Sequence, residues 1–348
     1  MEVIIGKDLL RELDSYLKSN NVKKVYIITD ENLNSLYMDY LLKHIKAYDV
    51  FTYIIKPGEG SKSIETTLSI YDDLIGKNID RGTIIMGFGG GVVGDIAGFV
   101  ASTYMRGLKY IQIPTSLLAQ VDSSIGGKVG IDYRGLKNII GSFYFPEITL
   151  IQLDFLKTLP TREITCGLGE ILKYGLIYDY NFFQYVSSNI DKIYDRNLEV
   201  LLPIVKRSVA IKEEIVGKDR YDKGIRRILN FGHTIGHSIE ALYDFGKYNH
   251  GEAVILGILY ESYIAKKKGL IEKAYFEEIY KVLNKLVPLI QFSQREVERL
   301  IPIMQKDKKN EDGKIAFVLP TGTGRVDLFY DVEEGIIMDS LKGEWIDY

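Results

Sequence analysis

Three of the chain's four histidines fall in one window: His233 and His237 in LNFGHTIGHSIE, residues 229–240, and His250 in NHGEAV, residues 249–254. His233 and His237 are four residues apart, so a helix puts them on one face. His250 opens a second apolar, helix-like run and stands close to Glu252. Imidazoles supplied by two neighbouring helices can bind a metal ion or move protons near neutral pH. A solitary helical histidine is more often a surface or satisfied core residue; three together favour chemistry. Thr234, not a glutamate, follows His233, so the HisGluxxHis pattern of zinc peptidases and its general base are missing.

Other polar residues stand in settings that ask for a reason. In GLGEILKYG, Glu170 and Lys173 are three apart among apolar neighbours. They form either a helical ion pair, worth about 0.2–0.5 kcal/mol, or a metal-binding carboxylate beside a substrate cation. TIIMGFGGGVVGDIAGFVAS passes from a strand through Gly87, Gly89, Gly90, Gly91 and Gly94 into a helix, and Gly89, Gly91 and Gly94 satisfy GxGxxG. Such a turn lets a pyrophosphate approach the backbone at a helix N-terminus. The acid that usually closes the next strand is missing, since KYIQIP ends at Pro114; Asp95 and Asp30 are the acids at hand. The turn therefore binds a phosphate-bearing cofactor in a non-standard way, or is only tight. Thr115 and Ser116 follow a strand and can offer hydroxyls. Asp122, Lys128, Lys137 and Asn138 lie in a glycine-punctuated stretch read as loop. With Arg106 they set cations beside the phosphate-type turn, which suits an anionic substrate. Lys212, Arg226 and Asn230 lie on helices leading into the histidines, and DKKN, residues 307–310, adds Lys308 and Lys309 on a loop.

These residues need a frame. The first half alternates β-rich runs such as VYIITD, which ends in Asp30, with amphipathic helices such as IETTLSIYDDLIGKNI, the pattern of an α/β sheet. Near residue 150 the pattern changes. Apart from TLIQL, the second half is helical until a late strand-like piece, KIAFVLPTGTGRVDLF. The reading is an α/β, Rossmann-like domain over 1–155 and an all-α domain over 156–348, with TLPTRE as hinge. At 348 residues the chain is long enough for two cores. A formal charge of −3 leaves no basic field, which argues against nucleic acid. No apolar run of about 20 residues is present to span a membrane. The single cysteine, Cys166, cannot form an intramolecular disulfide, which fits a reducing cytoplasm.

On these residues the chain resembles the 3-dehydroquinate synthase family. PGEGSKS, GFGGGVVGDIAGFVAS, YMRG, PTSLLAQVDSSIGGKVGI, LKNIIGSF, FLKTLPTRE, GLGEILKYGLI, LNFGHTIGHSIE, HGEAV and DKKN occur in the family's order, nearly end to end. The resemblance implies an N-terminal nucleotide-binding domain, a C-terminal helical domain and an active site in the cleft between them. It implies a divalent metal, zinc or cobalt, held by Glu170, His233 and His250, with His237 an active-site histidine and not a ligand. Contacts to NAD map to Asp30, Glu59, Lys62, the run Gly91, Val92, Val93, Gly94 and Asp95, then Thr115, Ser116, Asp122, Lys137 and the run Phe155, Leu156, Lys157 and Thr158. Substrate contacts map to Arg106, Lys128, Asn138, Lys173, Lys212, Arg226, Asn230 and a lysine of DKKN, with Lys308 favoured. Ser116 replaces a frequent threonine and keeps its hydroxyl.

The reaction so implied converts 3-deoxy-D-arabino-heptulosonate 7-phosphate to 3-dehydroquinate and phosphate. It proceeds by transient NAD-mediated oxidation, phosphate elimination, re-reduction, ring opening and intramolecular aldol closure. The expected partner is thus a small phosphorylated keto-acid sugar, bound by a protein whose relatives are commonly homodimers. Related sugar-phosphate cyclases, such as 2-deoxy-scyllo-inosose synthase, differ in their substrate loops. A metal-dependent NAD alcohol dehydrogenase would have no need of the cations at Lys128, Lys212 and Arg226.

Overall fold

The computed structural model describes residues 2–306, 314–343 and 345. Its elements, in order, are β1 (Glu2–Gly6), α1 (Leu10–Ser19), β2 (Lys24–Asp30), α2 (Glu31–His44), β3 (Asp49–Ile55), α3 (Ile64–Gly76), β4 (Ile84–Gly89), α4 (Gly91–Thr103) and β5 (Tyr110–Pro114). Then come β6 (Lys128–Tyr133), β7 (Leu136–Phe143), β8 (Ile148–Gln152), α5 (Thr161–Ile177), α6 (Tyr180–Ser188), α7 (Ile190–Tyr194), α8 (Leu198–Lys218), α9 (His233–Leu242) and α10 (His250–Lys267). The chain closes with α11 (Lys273–Leu286), α12 (Gln294–Gln305), β9 (Phe317–Gly322), β10 (Arg325–Phe329) and α13 (Glu334–Lys342). It divides into two compact units: residues 1–160 with 195–209, and 161–194 with 210–348. The return of Asp195–Val209, the start of α8, to the first unit has no mark in the sequence.

In the first unit six strands form one parallel sheet in the order β1-β8-β5-β4-β2-β3. Strands covered on both faces read as continuous apolar runs, and VYIITD and TIIMGFG do so. Two buried clusters cover the faces: one with Tyr26, Ile28, Ile96 and Val100, the other with Ile27, Met86, Ile111 and Leu150. The strand order reverses between β2 and β4, and ligands in open α/β sheets gather at the carboxyl ends of the strands at such a point. Register fixes what stands there. Thr29 pairs with Phe88 and Gly89 with Pro114, so Asp30, the glycine turn and Thr115–Ser116 follow side by side.

The stretch read as glycine-rich loop differs from that expectation. Lys128 opens β6, and Lys137 and Asn138 lie in β7, an antiparallel hairpin. Gly130 faces Gly141 across it, and a methyl group at Gly141 would fall 2.4 Å from the Val129 carbonyl oxygen. Gly130 and Gly141 thus serve close strand approach, while Gly135, at φ 76°, makes the turn between the two strands.

The second unit is mainly helical, with the β9–β10 hairpin as the strand-like piece read from the sequence, so all-α is too strict a description of it. Its helices cross almost backbone to backbone. A methyl group at Gly251 of α10 would meet the Cys166 carbonyl oxygen of α5 at 1.9 Å, and one at Gly257 would meet the Gly232 carbonyl oxygen, next to α9, at 1.9 Å. Among the described residues no helix is long and apolar enough to cross a membrane.

Candidate active site

Glu170 lies on α5, His233 and His237 on α9, and His250 at the start of α10. The glycines that bring these helices together are the neighbours of the functional residues: Gly169 precedes Glu170, Gly232 precedes His233 and Gly251 follows His250. Asn249 and Glu252 form a capping box at the start of α10, and Arg162 holds Glu252 at 2.8 Å. Glu252 is therefore consumed in fixing the helix that presents His250 and does not face the cluster.

Glu170 is completely buried, and Lys173 pairs with its Oε2. Its Oε1 is buried and accepts no hydrogen bond among the described residues. His233 Nε2 and His250 Nε2 each stand 3.4 Å from that oxygen. Donors about 2.1 Å from a tetrahedral ion lie about 3.4 Å apart. The three donor atoms fall within 4.8 Å of one another, so the set fits a divalent ion. The outer nitrogens are engaged as metal-binding imidazoles require: His233 Nδ1 bonds the Phe231 carbonyl at 3.0 Å, and His250 Nδ1 stands 3.4 Å from Glu240 Oε2. Each ring thereby turns Nε2 toward Glu170. An overlapping set, His237, Glu240 and His250, also converges, but it lacks a buried carboxylate oxygen left unbonded. The His237 ring centre lies 5.1 Å from that of His233 and 5.9 Å from that of His250.

The electrostatics agree with a site built for charge. Burial opposes ionisation of Glu170, yet the Lys173 ammonium and then His233 hold its carboxyl well below the usual carboxylate range. Burial and the Lys173 cation push His233 down to about 3. Burial also disfavours the His250 cation, but the Glu170 and Glu240 carboxylates beside it outweigh that and lift the ring to about 10. Lys173 thus neutralises one carboxylate oxygen and leaves the other for a cation.

The remaining candidates of the second unit surround this cluster in sequence more than in shown contact. Lys212 on α8 and Arg226 are buried, and Arg226 Nη1 donates to the Arg220 carbonyl at 2.9 Å. Asn230 ends a short 3₁₀ turn over Ile225–Asn230. Lys308 lies outside the described residues.

In the first unit Lys62, only 4% exposed, pairs with Asp95 and stands 4.0 Å from Glu59, which Lys137 also approaches at 4.0 Å. Four residues assigned to the cofactor by resemblance thus form one network. Gly91–Asp95 is the first turn of α4, and Gly90 and Gly91 lie against the Ser116 and Ser123 hydroxyls. Ser123 has no mark in the sequence as a site residue; its Oγ is shielded and has no hydrogen-bond partner among the described residues. Asp30 caps α2 by accepting the Leu33 N–H at 3.0 Å. Asp122 lies in a π-helical turn, Ala119–Ser123. Phe155 and Leu156 are core residues, whereas Lys157 pairs with Asp154 and Thr158 bonds Tyr37. Lys128, Arg106 and Asn138 are exposed, and Arg106 and Asn138 hold left-handed backbone at φ 66° and 52°. Such strain in non-glycine residues costs about 1–3 kcal/mol and gathers at functional sites.

The family description "3-dehydroquinate synthase N-terminal" matches residues 52–166, and "3-dehydroquinate synthase C-terminal" matches residues 167–310. A 3-dehydroquinate synthase of Alkaliphilus metalliredigens is 46% identical over 324 residues, covering 93% of this chain and 90% of its own. Among solved structures, the 2-epi-5-epi-valiolone synthase of Streptomyces hygroscopicus subsp. jinggangensis, with NAD+ and Zn2+ bound, is 27% identical with a TM-score of 0.87, covering 98% of this chain and 95% of its own. A 2-deoxy-scyllo-inosose synthase with carbaglucose-6-phosphate, NAD+ and Co2+ shares the fold at 24% identity and a TM-score of 0.87, covering 98% and 96%.

Proposed function

This chain belongs to the 3-dehydroquinate synthase family, and on that premise we propose which of its residues carry the reaction. The protein is an NAD- and metal-dependent carbon–oxygen lyase that converts 3-deoxy-D-arabino-heptulosonate 7-phosphate to 3-dehydroquinate and phosphate. When bound, the nicotinamide supplies a transient hydride acceptor and the divalent ion supplies Lewis acidity toward substrate oxygens.

Glu170, His233 and His250 hold the ion. The observation that carries this reading is the buried, unbonded Glu170 Oε1 with two imidazole nitrogens at 3.4 Å. Three protein donors leave coordination open to substrate. His237 moves a proton at the substrate, since it shares the cluster without joining this donor set. Lys173 fixes Glu170, and with Lys212, Arg226 and Asn230 it provides the second unit's groups for the anionic ends of the substrate. Arg106, Lys128, Asn138 and Lys308 complete the substrate assignment. The first unit takes NAD: the α4 N-terminus cradles phosphate, with Asp30, Glu59, Lys62, Asp95, Thr115, Ser116, Asp122, Lys137 and Phe155–Thr158 around it. The lone buried thiol of Cys166 supports a reducing cytoplasm, and the resemblance supports a homodimer.

The test is a phosphate-release assay on the heptulosonate phosphate, with and without NAD and after chelation. Release should require catalytic NAD and the metal, with no net NADH. NADH accumulating in proportion to substrate turned over would establish a dehydrogenase instead.

A further inference from the structure

Helix α9, which carries His233 at its first position and His237 one turn on, begins without a side-chain cap of its own. Its N-cap residue is Gly232, in left-handed conformation at φ 79°. No other residue fits there. A methyl group on Gly232 would fall 2.5 Å from Ile258 Cγ1 and 2.9 Å from the Val254 carbonyl oxygen, both of α10. The close approach of the two ligand-bearing helices therefore removes the serine, threonine or aspartate that ordinarily satisfies a helix start.

The missing group comes from the neighbouring helix. Glu261 of α10 is completely buried. Its Oε2 accepts the Gly232 N–H at 2.6 Å and its Oε1 accepts the Ile235 N–H at 3.2 Å. In a capping box those two donors, the N–H of the cap residue and that of the third helical residue, are satisfied by two side chains of one helix. Here one carboxylate from another helix does both. Its negative charge also faces the positive end of the α9 dipole. The turn it grips is the one that aims the metal ligand, because the His233 ring is oriented by its Nδ1 contact with the Phe231 carbonyl.

We propose that Glu261 is a positioning residue of the metal centre: it locks the Phe231–Gly232–His233 turn to α10 and so fixes His233 Nε2 relative to His250 and Glu170. The proposal rests on the assignment of His233 as a ligand. In the sequence Glu261 looks like an ordinary polar position in YESYIAKK, and only its burial and two backbone partners distinguish it.

The experiment uses the full chain with NAD and reads zinc affinity by chelator competition, together with the visible absorption of the cobalt-substituted protein. Glu261→Gln keeps shape but turns an NH2 group against one helix N–H. It should weaken zinc about 10–100-fold, the usual effect of losing an orienting partner, and alter the cobalt bands. Tyr260→Phe, on the adjacent residue, removes only the hydroxyl bond to the Ile290 carbonyl. It should lower the melting temperature while leaving affinity and spectrum unchanged. A Glu261→Gln protein that melts early yet binds zinc and absorbs as the parent does would overturn the proposal and leave Glu261 a structural cap. Should Glu261→Gln fail to fold, Glu261→Asp, which keeps the charge on a shorter stem, is read by the same two measurements and the same criteria. His233→Ala separates the premise: undiminished zinc there would refute the ligand set itself.

Discussion

A single methyl group at Gly251 tests whether the metal site depends on the helix crossing beneath it. Added there, the methyl would sit 1.9 Å from the Cys166 carbonyl oxygen and 2.5 Å from Cys166 Cα, both backbone atoms that cannot swing aside. Carbon and oxygen settle at about 3.3–3.6 Å, so α10 must retreat from α5 by roughly 1.4–1.7 Å at that point. The adjacent residue is His250, and Glu170 lies one turn beyond Cys166, so the retreat falls on the Glu170–His250 edge of the site, now 3.4 Å. Metal–donor distances tolerate about ±0.2 Å; the displacement exceeds that several-fold. Gly251→Ala should therefore weaken zinc by at least the ~10–100-fold seen when ligands lose their support. Overpacking costs about 1–3 kcal/mol, or a fall of roughly 2–4 °C in melting temperature per kcal/mol in a domain of this size. Helix propensity acts the other way by up to ~1 kcal/mol, so a net loss must be steric. Gly169→Ala, whose methyl would be 2.6 Å from the Gly251 carbonyl oxygen, should give a smaller effect. Gly217→Ala on α8 has nothing within 4 Å and should be neutral or stabilising by about 0.4–1 kcal/mol. Chelator competition and thermal melting of the three variants decide the matter. Parental zinc affinity in Gly251→Ala, or a larger effect at Gly169 than at Gly251, refutes the reasoning.

Three further outcomes concern protons. In the metal-free protein His250 is lifted to about 10 and His233 lowered to about 3, so near pH 7.5 the Glu170, His233 and His250 set carries one imidazolium, on His250. Zinc must expel that proton: calorimetry in buffers of different ionisation enthalpy should give about one proton released per ion, and none or two would show the assignment wrong. The metal-free fold should likewise draw stability from His250 at a pH below the unfolded value near 6.5, and lose it as pH rises through about 10. Lys62→Met strands Asp95, a carboxylate already raised by burial and restrained by Lys62. A raised folded pKa means stability falls as pH climbs from about 3.8 to the folded value. The variant should lose most near neutrality, up to the ~3–5 kcal/mol of a broken buried pair, and recover toward acid pH; a loss independent of pH would count against the pairing.

What the sequence revealed and what it hid have physical reasons. The parallel sheet was legible because strands buried on both faces must be apolar throughout, and the glycine turn because it stands between a strand and a helix. The β6–β7 hairpin was hidden, since glycines that permit strand contact read as loop until Gly130 and Gly141 are seen opposed. Glu240 and Glu261 were hidden for another reason. An acid inside a helical run reads as surface charge, and only exposures of 2% and 0% show that each has a partner.

The histidine window shows where spacing stops being informative. Two imidazoles four apart on α9 look like a clamp, yet helical geometry leaves both rings free to turn to any partner. What marks His233 and His250 as candidate ligands is the engagement of each outer ring nitrogen and the place of a carboxylate far away in sequence. His233 Nδ1 is held by the Phe231 carbonyl in the same turn, and His250 Nδ1 stands against Glu240, so both Nε2 atoms converge on Glu170 Oε1. Glu170 reaches them because Gly169 and Gly251 let α5 and α10 nearly touch. The proposed ligand set is therefore a property of the crossing, written in the glycines beside these donors as much as in the donors themselves. A chain with the same three donors and larger residues at 169 and 251 would keep the spacing and lose the site.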